Sequence, residues 1–153
     1  MNREHLEAIA EDPKAFLLRG KNTRVLIAAK EERIEDWRRR AESITVAPKE
    51  DYGTSSLYKQ STVEQAACNI ADLQAEITGE VNELISLERD ISAAINELLT
   101  DDRYKTVMEL KYVHYLTLEE IAVQLKYAFR WVQRLNKQAL LEMKEAALST
   151  LKP

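Results

Sequence analysis

From Val63 to Leu98 one stripe of residues steps by three and four without a slip: Val63, Ala66, Ile70, Leu73, Ile77, Glu80, Leu84, Leu87, Ile91, Ala94 and Leu98. Glu80, with Val81 beside it, is the single polar position in the stripe. Such a 3.5-residue period, held for five heptads, predicts a coiled-coil seam that needs a partner helix. Ser61 followed by Glu64 is a capping-box pattern, so the helix is expected to open at Thr62. Running to residue 99, it would extend about 57 Å. Upstream, residues 22–44 carry a second helical pattern in Ile27, Ile34, Trp37, Ala41 and Ile44. Between the two, residues 45–61 hold Pro48, Gly53 and a Ser/Thr cluster and are expected to be a loop, with Tyr52 and Tyr58 able to tether it by packing.

The helix at 22–44 can fold back and cover about half of the seam. The remainder must meet the C-terminal part of the chain or a second copy, and homo-oligomerisation through the helix at 62–99 is one way to satisfy it. Residues 1–21 are expected to form one or two short helical turns broken by Pro13 and Gly20, and no function is read from them. Arg38, Arg39 and Arg40 interrupt the upstream helix with a basic run; a solvated face pairing with nearby acids is set against a phosphate or acidic-partner contact.

After residue 100 the apolar pattern shortens into three helices, giving a third segment at 100–153. Thr100, Asp101 and Asp102 are N-cap residues for a helix that places Tyr104, Val107 and Leu110 on one face. Thr117 with Glu120 is a second capping box, opening a short helix with Ile121, Ala122 and Leu125 on its apolar side. A turn at Lys126–Tyr127 leads into a last helix at about 128–148. At 100° per residue, Ala128, Val132, Leu135, Ala139 and Met143 face inward, and Arg130, Gln133, Arg134 and Lys137 share the opposite face. Trp131 lies between the two faces, where packing against the first helix of this segment or the long helix competes with stacking on DNA sugars.

Only three glycines and three prolines among 153 residues, with Ala, Leu, Glu, Lys, Arg and Gln abundant, fix the class as all-α. The architecture expected is a long helical hairpin or coiled coil at 22–99 followed by a helix-turn-helix. The formal charge of −4 hides a sorting along the chain: residues 1–100 carry −6 and residues 101–153 carry +2. Between Lys126 and Lys137 there are four basic residues and no acidic one. A solvated helix face ordinarily mixes both signs. An acid-free face on the second helix of a short-helix, turn, longer-helix unit suits a DNA major groove. Arg grips guanine O6 and N7, Gln reads adenine, and Lys neutralises a phosphate. Lys126, Tyr127, Arg130, Gln133, Arg134 and Lys137 form the candidate DNA-binding set, with double-stranded DNA as partner.

The stretch YKTVMELKYVHYLTLEEIAVQLKYAFRWVQRLNKQALLEM resembles region 4 of bacterial sigma-70 factors, which reads the −35 promoter element. The resemblance is carried by the LKY ending the first helix, TLEEIA, Leu125, Val132 and the AL…M tail. Two positions depart from it: Lys126 stands where that family usually has Gly, and Ala128 where Ser or Thr usually caps the recognition helix. The wider layout resembles a group of phage and prophage regulators in which a long helical region precedes a sigma-region-4-like domain with a YxxRWVxxL recognition helix, matched here by Tyr127, Arg130, Trp131, Val132 and Leu135. The resemblance implies regulation of transcription of phage genes. Nothing in the chain is similar to the sigma region that melts the −10 element, so a complete stand-alone sigma factor is not implied.

Other classes find less support. His5 and His114 show no metal spacing, and there is no cysteine pair and no Gly-rich phosphate loop, so no catalytic residue, metal or cofactor is assigned and an enzyme is not expected. Lone Cys68 points to a reducing compartment and to a buried or indifferent thiol. The charged N-terminus is unlike a signal peptide and no apolar run suits a membrane span, so a soluble cytoplasmic protein is expected. Two alternatives stand beside the regulator: an oligomeric DNA-packaging protein of the small-terminase kind, and a module that grips RNA polymerase without touching DNA.

Overall fold

The computed structural model describes residues 1–45 and 54–153, with side chains placed for 1–43 and 61–153. Among the described residues every regular element is helical: α1 (Arg3–Glu11), α2 (Pro13–Thr45), α3 (Thr54–Leu98), α4 (Asp102–Tyr112), α5 (Leu118–Leu125) and α6 (Phe129–Leu151). No described helix is long and apolar enough to cross a membrane. The chain divides into two compact units, residues 24–83 and residues 1–23 with 84–153.

The 24–83 unit is a helical hairpin of α2 against α3. Ile27 and Ile34 on α2 and Ala66 and Leu73 on α3 are buried, while Trp37, Ala41, Val63, Ile70 and Ile77 are half-buried. The polar position in the seam has its own partner. Glu80 pairs with Lys30 of α2, whose ammonium also lies 3.2 Å from Glu76, and both the Lys30 and Glu80 side chains are largely shielded. These carboxylates raise the Lys30 pKa, Glu80 most strongly, against the opposing effect of desolvation. A lone charge in an apolar seam is costly, whereas a paired one fixes register. The arginine run is a solvated face: Arg38 pairs with Glu35, Arg39 with Asp36, and Arg40 lies 5.0 Å from the Trp37 ring centroid. Cys68 is exposed, not buried.

Helix boundaries differ from the sequence pattern at both ends of the hairpin. The long helix opens at Thr54, so Ser61 and Glu64 lie within it and cap nothing. The expected loop is thereby shortened from its C-terminal side. Residues 46–53, and the side chains of both Tyr52 and Tyr58, lie outside the described residues. At the N-terminal side, Pro13 starts α2 where its missing N–H is no loss, and Asp12 caps the helix by accepting from the Ala15 N–H at 3.2 Å. Gly20 lies inside α2 and does not break it.

In the other unit, residues 1–23 pack with 84–153, whereas the sequence pattern set 1–21 apart. The larger of two apolar clusters joins Leu6 and Ile9 of α1, Phe16 and Leu17 of α2, and Ile91, Ala94, Ile95 and Leu98 of α3 to Met108 and Tyr112 of α4 and Ala139, Met143 and Ala147 of α6. Ile9 and Leu17 are wholly buried, each contributing roughly 1.5–3 kcal/mol. The smaller cluster is the core of the three-helix segment: Val107, Ile121, Ala122, Val132 and Leu135, with Tyr104, Leu110 and Trp131 against it.

Candidate nucleic-acid interface

Three local devices set the position of α6. Asp101 caps α4, accepting from the Arg103 N–H at 2.8 Å, and Arg103 hydrogen-bonds to its side chain, which holds that carboxyl below its ordinary range. Thr117 Oγ1 accepts from the Glu120 N–H at 3.2 Å and opens α5 as its capping-box spacing predicts. α5 then ends on Lys126 in the left-handed region (φ 58°, ψ 40°), where the Tyr127 N–H donates to the Ala122 carbonyl at 3.0 Å. This closure ordinarily takes glycine, because a Cβ there crowds the backbone. Ala128 is the N-cap of α6 and makes no side-chain capping bond.

Below this turn the inward face of α6 is anchored. Val132, Ala139, Met143 and Leu135 are buried, as the helical projection predicts. Ala128 is exposed, contrary to that projection, because helical geometry begins only at Phe129. Trp131 is half-buried beside the smaller cluster, with the Arg103 guanidinium 5.9 Å from its ring centroid. Polar bonds fix the helix further: the Tyr104 hydroxyl donates to Gln138 Oε1 at 2.9 Å, and the Tyr112 hydroxyl reaches Asn136 Oδ1 at 3.5 Å.

Lys126, Tyr127, Arg130, Gln133, Arg134 and Lys137 are all exposed. Gln133, Arg134 and Lys137 line one shallow groove with Gln138 and Leu141. Arg130 precedes that groove by one turn, and Lys126 and Tyr127 stand outside it in the preceding loop. Among the described residues no ion pair engages Lys126, Arg130, Arg134 or Lys137. Arg130 and Arg134 are four residues apart, an arrangement that costs a helix a few tenths of a kcal/mol where Glu–Arg would stabilise it. Elsewhere the chain takes the stabilising choice, as at Arg3–Glu7 and Arg38–Glu35.

Two groups of residues escaped the sequence pattern. Phe129 exposes 38% of its surface beside the basic face and, with the already expected Tyr127, gives it an apolar component. A cleft next to that face is lined by Lys21 of α2, Lys111 of α4, Glu119 of α5, and Phe129 and Gln133 of α6. Lys111 is half-buried there and its pKa is lowered, first by desolvation and then by Lys21 and Lys14. Sequence spacing could not bring Lys21 to Lys111, because the approach depends on α2 packing against the three-helix segment. Among the described residues no group of three His, Cys, Asp or Glu side chains gathers to hold a metal ion. Comparison of the chain with protein-family models, with curated proteins and with solved structures finds no match.

Proposed function

We propose that this protein binds double-stranded DNA by laying α6 in the major groove, and that it regulates transcription in the manner of the phage proteins that its C-terminal segment resembles. The observation that carries this reading is the run from Lys126 to Lys137, which holds four cations and no acid, its cations exposed and unpaired among the described residues although glutamate at those spacings would stabilise the helix. Arg130, Gln133 and Arg134 would read base edges, Lys126 and Lys137 would hold phosphates, and Tyr127 would pack on the sugar–phosphate edge. The hairpin at 24–83 would act as a spacer or a dimerisation arm, and no cofactor is required.

The test is fluorescence anisotropy of the full chain with random-sequence duplex across a salt series, beside an Arg130/Arg134/Lys137 triple-alanine variant. Steeply salt-dependent binding that the variant lacks is the expected result. Binding that survives in the variant, or absence of binding at low salt, overturns the reading. A second reading is attachment to RNA polymerase without duplex contact, for which Val123, exposing 80% of its surface on α5, is the apolar position to test. It predicts a promoter effect that Val123→Asp abolishes and that the triple variant retains.

A further inference from the structure

The cleft at the meeting of α2, α4, α5 and α6 gathers like charges. The ammonium of Lys111 emerges at the end of α4, Lys21 lines the same cleft from α2, and Lys14 is close enough to act on Lys111. Glu119 is the acidic residue on the wall, and its attraction for Lys111 ranks below the repulsion from either lysine. Leu18, Tyr112 and Leu116 supply an apolar back wall that shields the charges from water and so sharpens their repulsion. A fold that needed only stability would gain by placing a second carboxylate there, nearer Lys111 than Glu119, or by turning Lys111 outward. Phe129 and Gln133 line the cleft too, and Gln133 also lines the groove of Arg134 and Lys137, so the two surfaces are continuous.

We infer that this cleft takes the phosphate backbone of the duplex that α6 reads, with Lys21 and Lys111 clasping one or two phosphates beside the groove contacts. The inference rests on the duplex-binding reading above and adds to it that α2, which lies outside the helix-turn-helix, carries part of the footprint. Two cations aimed at phosphate contribute without regard to base sequence, and through release of condensed counterions they show in the salt dependence. Glu119 opposes the phosphate, so removing its charge should tighten binding.

The test uses the full chain and a random-sequence duplex several helical turns long, with affinity followed across salt. Lys21 is exposed, so Lys21→Ala leaves the core intact, and Lys111→Gln removes the charge while keeping most of the length of the half-buried side chain. The double variant is expected to bind roughly tenfold more weakly near 0.1 M salt, with a slope of log K against log salt shallower by about one to two. Glu119→Gln is expected to bind several-fold more tightly. Thermal melts of each variant separate loss of contact from loss of fold, and Lys21→Glu, a surface change, weakens binding further if the cleft is used. Unchanged affinity and slope in the lysine variants, while the Arg130/Arg134/Lys137 variant loses binding, overturns this inference and leaves the groove reading standing. Loss in the lysine variants with full binding by the triple variant keeps the cleft and overturns the groove reading. Failure of the wild-type chain to bind any duplex overturns both.

Discussion

The Tyr115 hydroxyl lies 2.9 Å from the point a Cβ on Gly20 would occupy. It is held there, donating to Glu88 Oε1 at 2.7 Å, while the Tyr115 backbone sits in the left-handed region at φ 62°. Gly20 is therefore a close-approach residue: a Cβ there would press on the hydroxyl that Tyr115 extends from the α4–α5 turn and force it to shift. Alanine would gain about 1 kcal/mol of helix propensity. It would also displace the Tyr115 hydroxyl from a charged acceptor, a bond of about 1.5–3 kcal/mol. Gly20→Ala is thus expected to lower stability by roughly 1 kcal/mol, and Gly20→Val by more, in urea unfolding. A stabilised Gly20→Ala would show that Tyr115 gives way freely.

If α6 lies in the major groove as proposed, base contacts and phosphate contacts can be told apart by substitution. Once a preferred duplex has been selected, Arg130→Ala and Arg134→Ala should each cost about 1–3 kcal/mol on that duplex and far less on random sequence. Lys137→Ala should weaken both alike and reduce the salt slope by about one. Equal losses on both duplexes from the arginine changes would assign those side chains to phosphates.

The turn between α5 and α6 is not optimised for stability. Lys126 occupies the left-handed region with a Cβ, and Ala128 leaves α6 without a side-chain cap. Lys126→Gly should raise stability by roughly 1 kcal/mol, and Ala128→Ser by about 0.5–2 kcal/mol. The two differ in function: Lys126→Gly should lose one unit of salt slope if that lysine meets a phosphate, while Ala128→Ser should not. A shift of Tm in the destabilising direction for both would mean that the turn has a different backbone geometry.

Alkaline pH gives a third kind of check. Burial pushes the Tyr112 hydroxyl up to about 12 from its ordinary 10.0, the Asn136 contact acting weakly the other way. The unfolded chain releases this proton near 10 and the folded chain only near 12, so the stability contribution is whole below the lower value and is lost as pH rises through that window. The loss should be on the order of 2 kcal/mol, measured as the difference between wild type and Tyr112→Phe, in which other titrating groups cancel. Parallel pH profiles for the two proteins would place the hydroxyl in contact with water.

Much of the C-terminal segment was legible because its signals are local. The Thr117–Glu120 cap, the buried positions Val132, Leu135, Ala139 and Met143, and the exposed cationic face follow from spacing alone, as does the α3 seam, in which none of the eleven stripe positions is exposed. What spacing could not give was partnership. Leu6, Ile9, Phe16 and Leu17 lie in short pieces without a long period, and only the packed structure shows that α6 and the end of α3 cover them. Gly20 looked like a breaker because its cost is local whereas its reason, Tyr115, is 95 residues away. Lys21 and Lys111 were invisible as a pair for the same reason, and the Ser61 cap misled because a capping pattern inside a helix carries no mark of its context.

The unit built from residues 1–23 and 84–153 also has a history written into it. During synthesis Leu6, Ile9, Phe16 and Leu17 emerge more than 120 residues before Ala139, Met143 and Ala147, which share their core. Bringing the two parts together across an unstructured excursion of 60 residues, numbers 24 to 83, would cost roughly 3–4 kcal/mol in chain entropy. A hairpin closed by contacts such as Lys30 with Glu76 and Glu80 replaces that free excursion with two packed helices and so shortens the search. On this view the long antiparallel helices assist assembly, and the shared core closes only once α6 has been made.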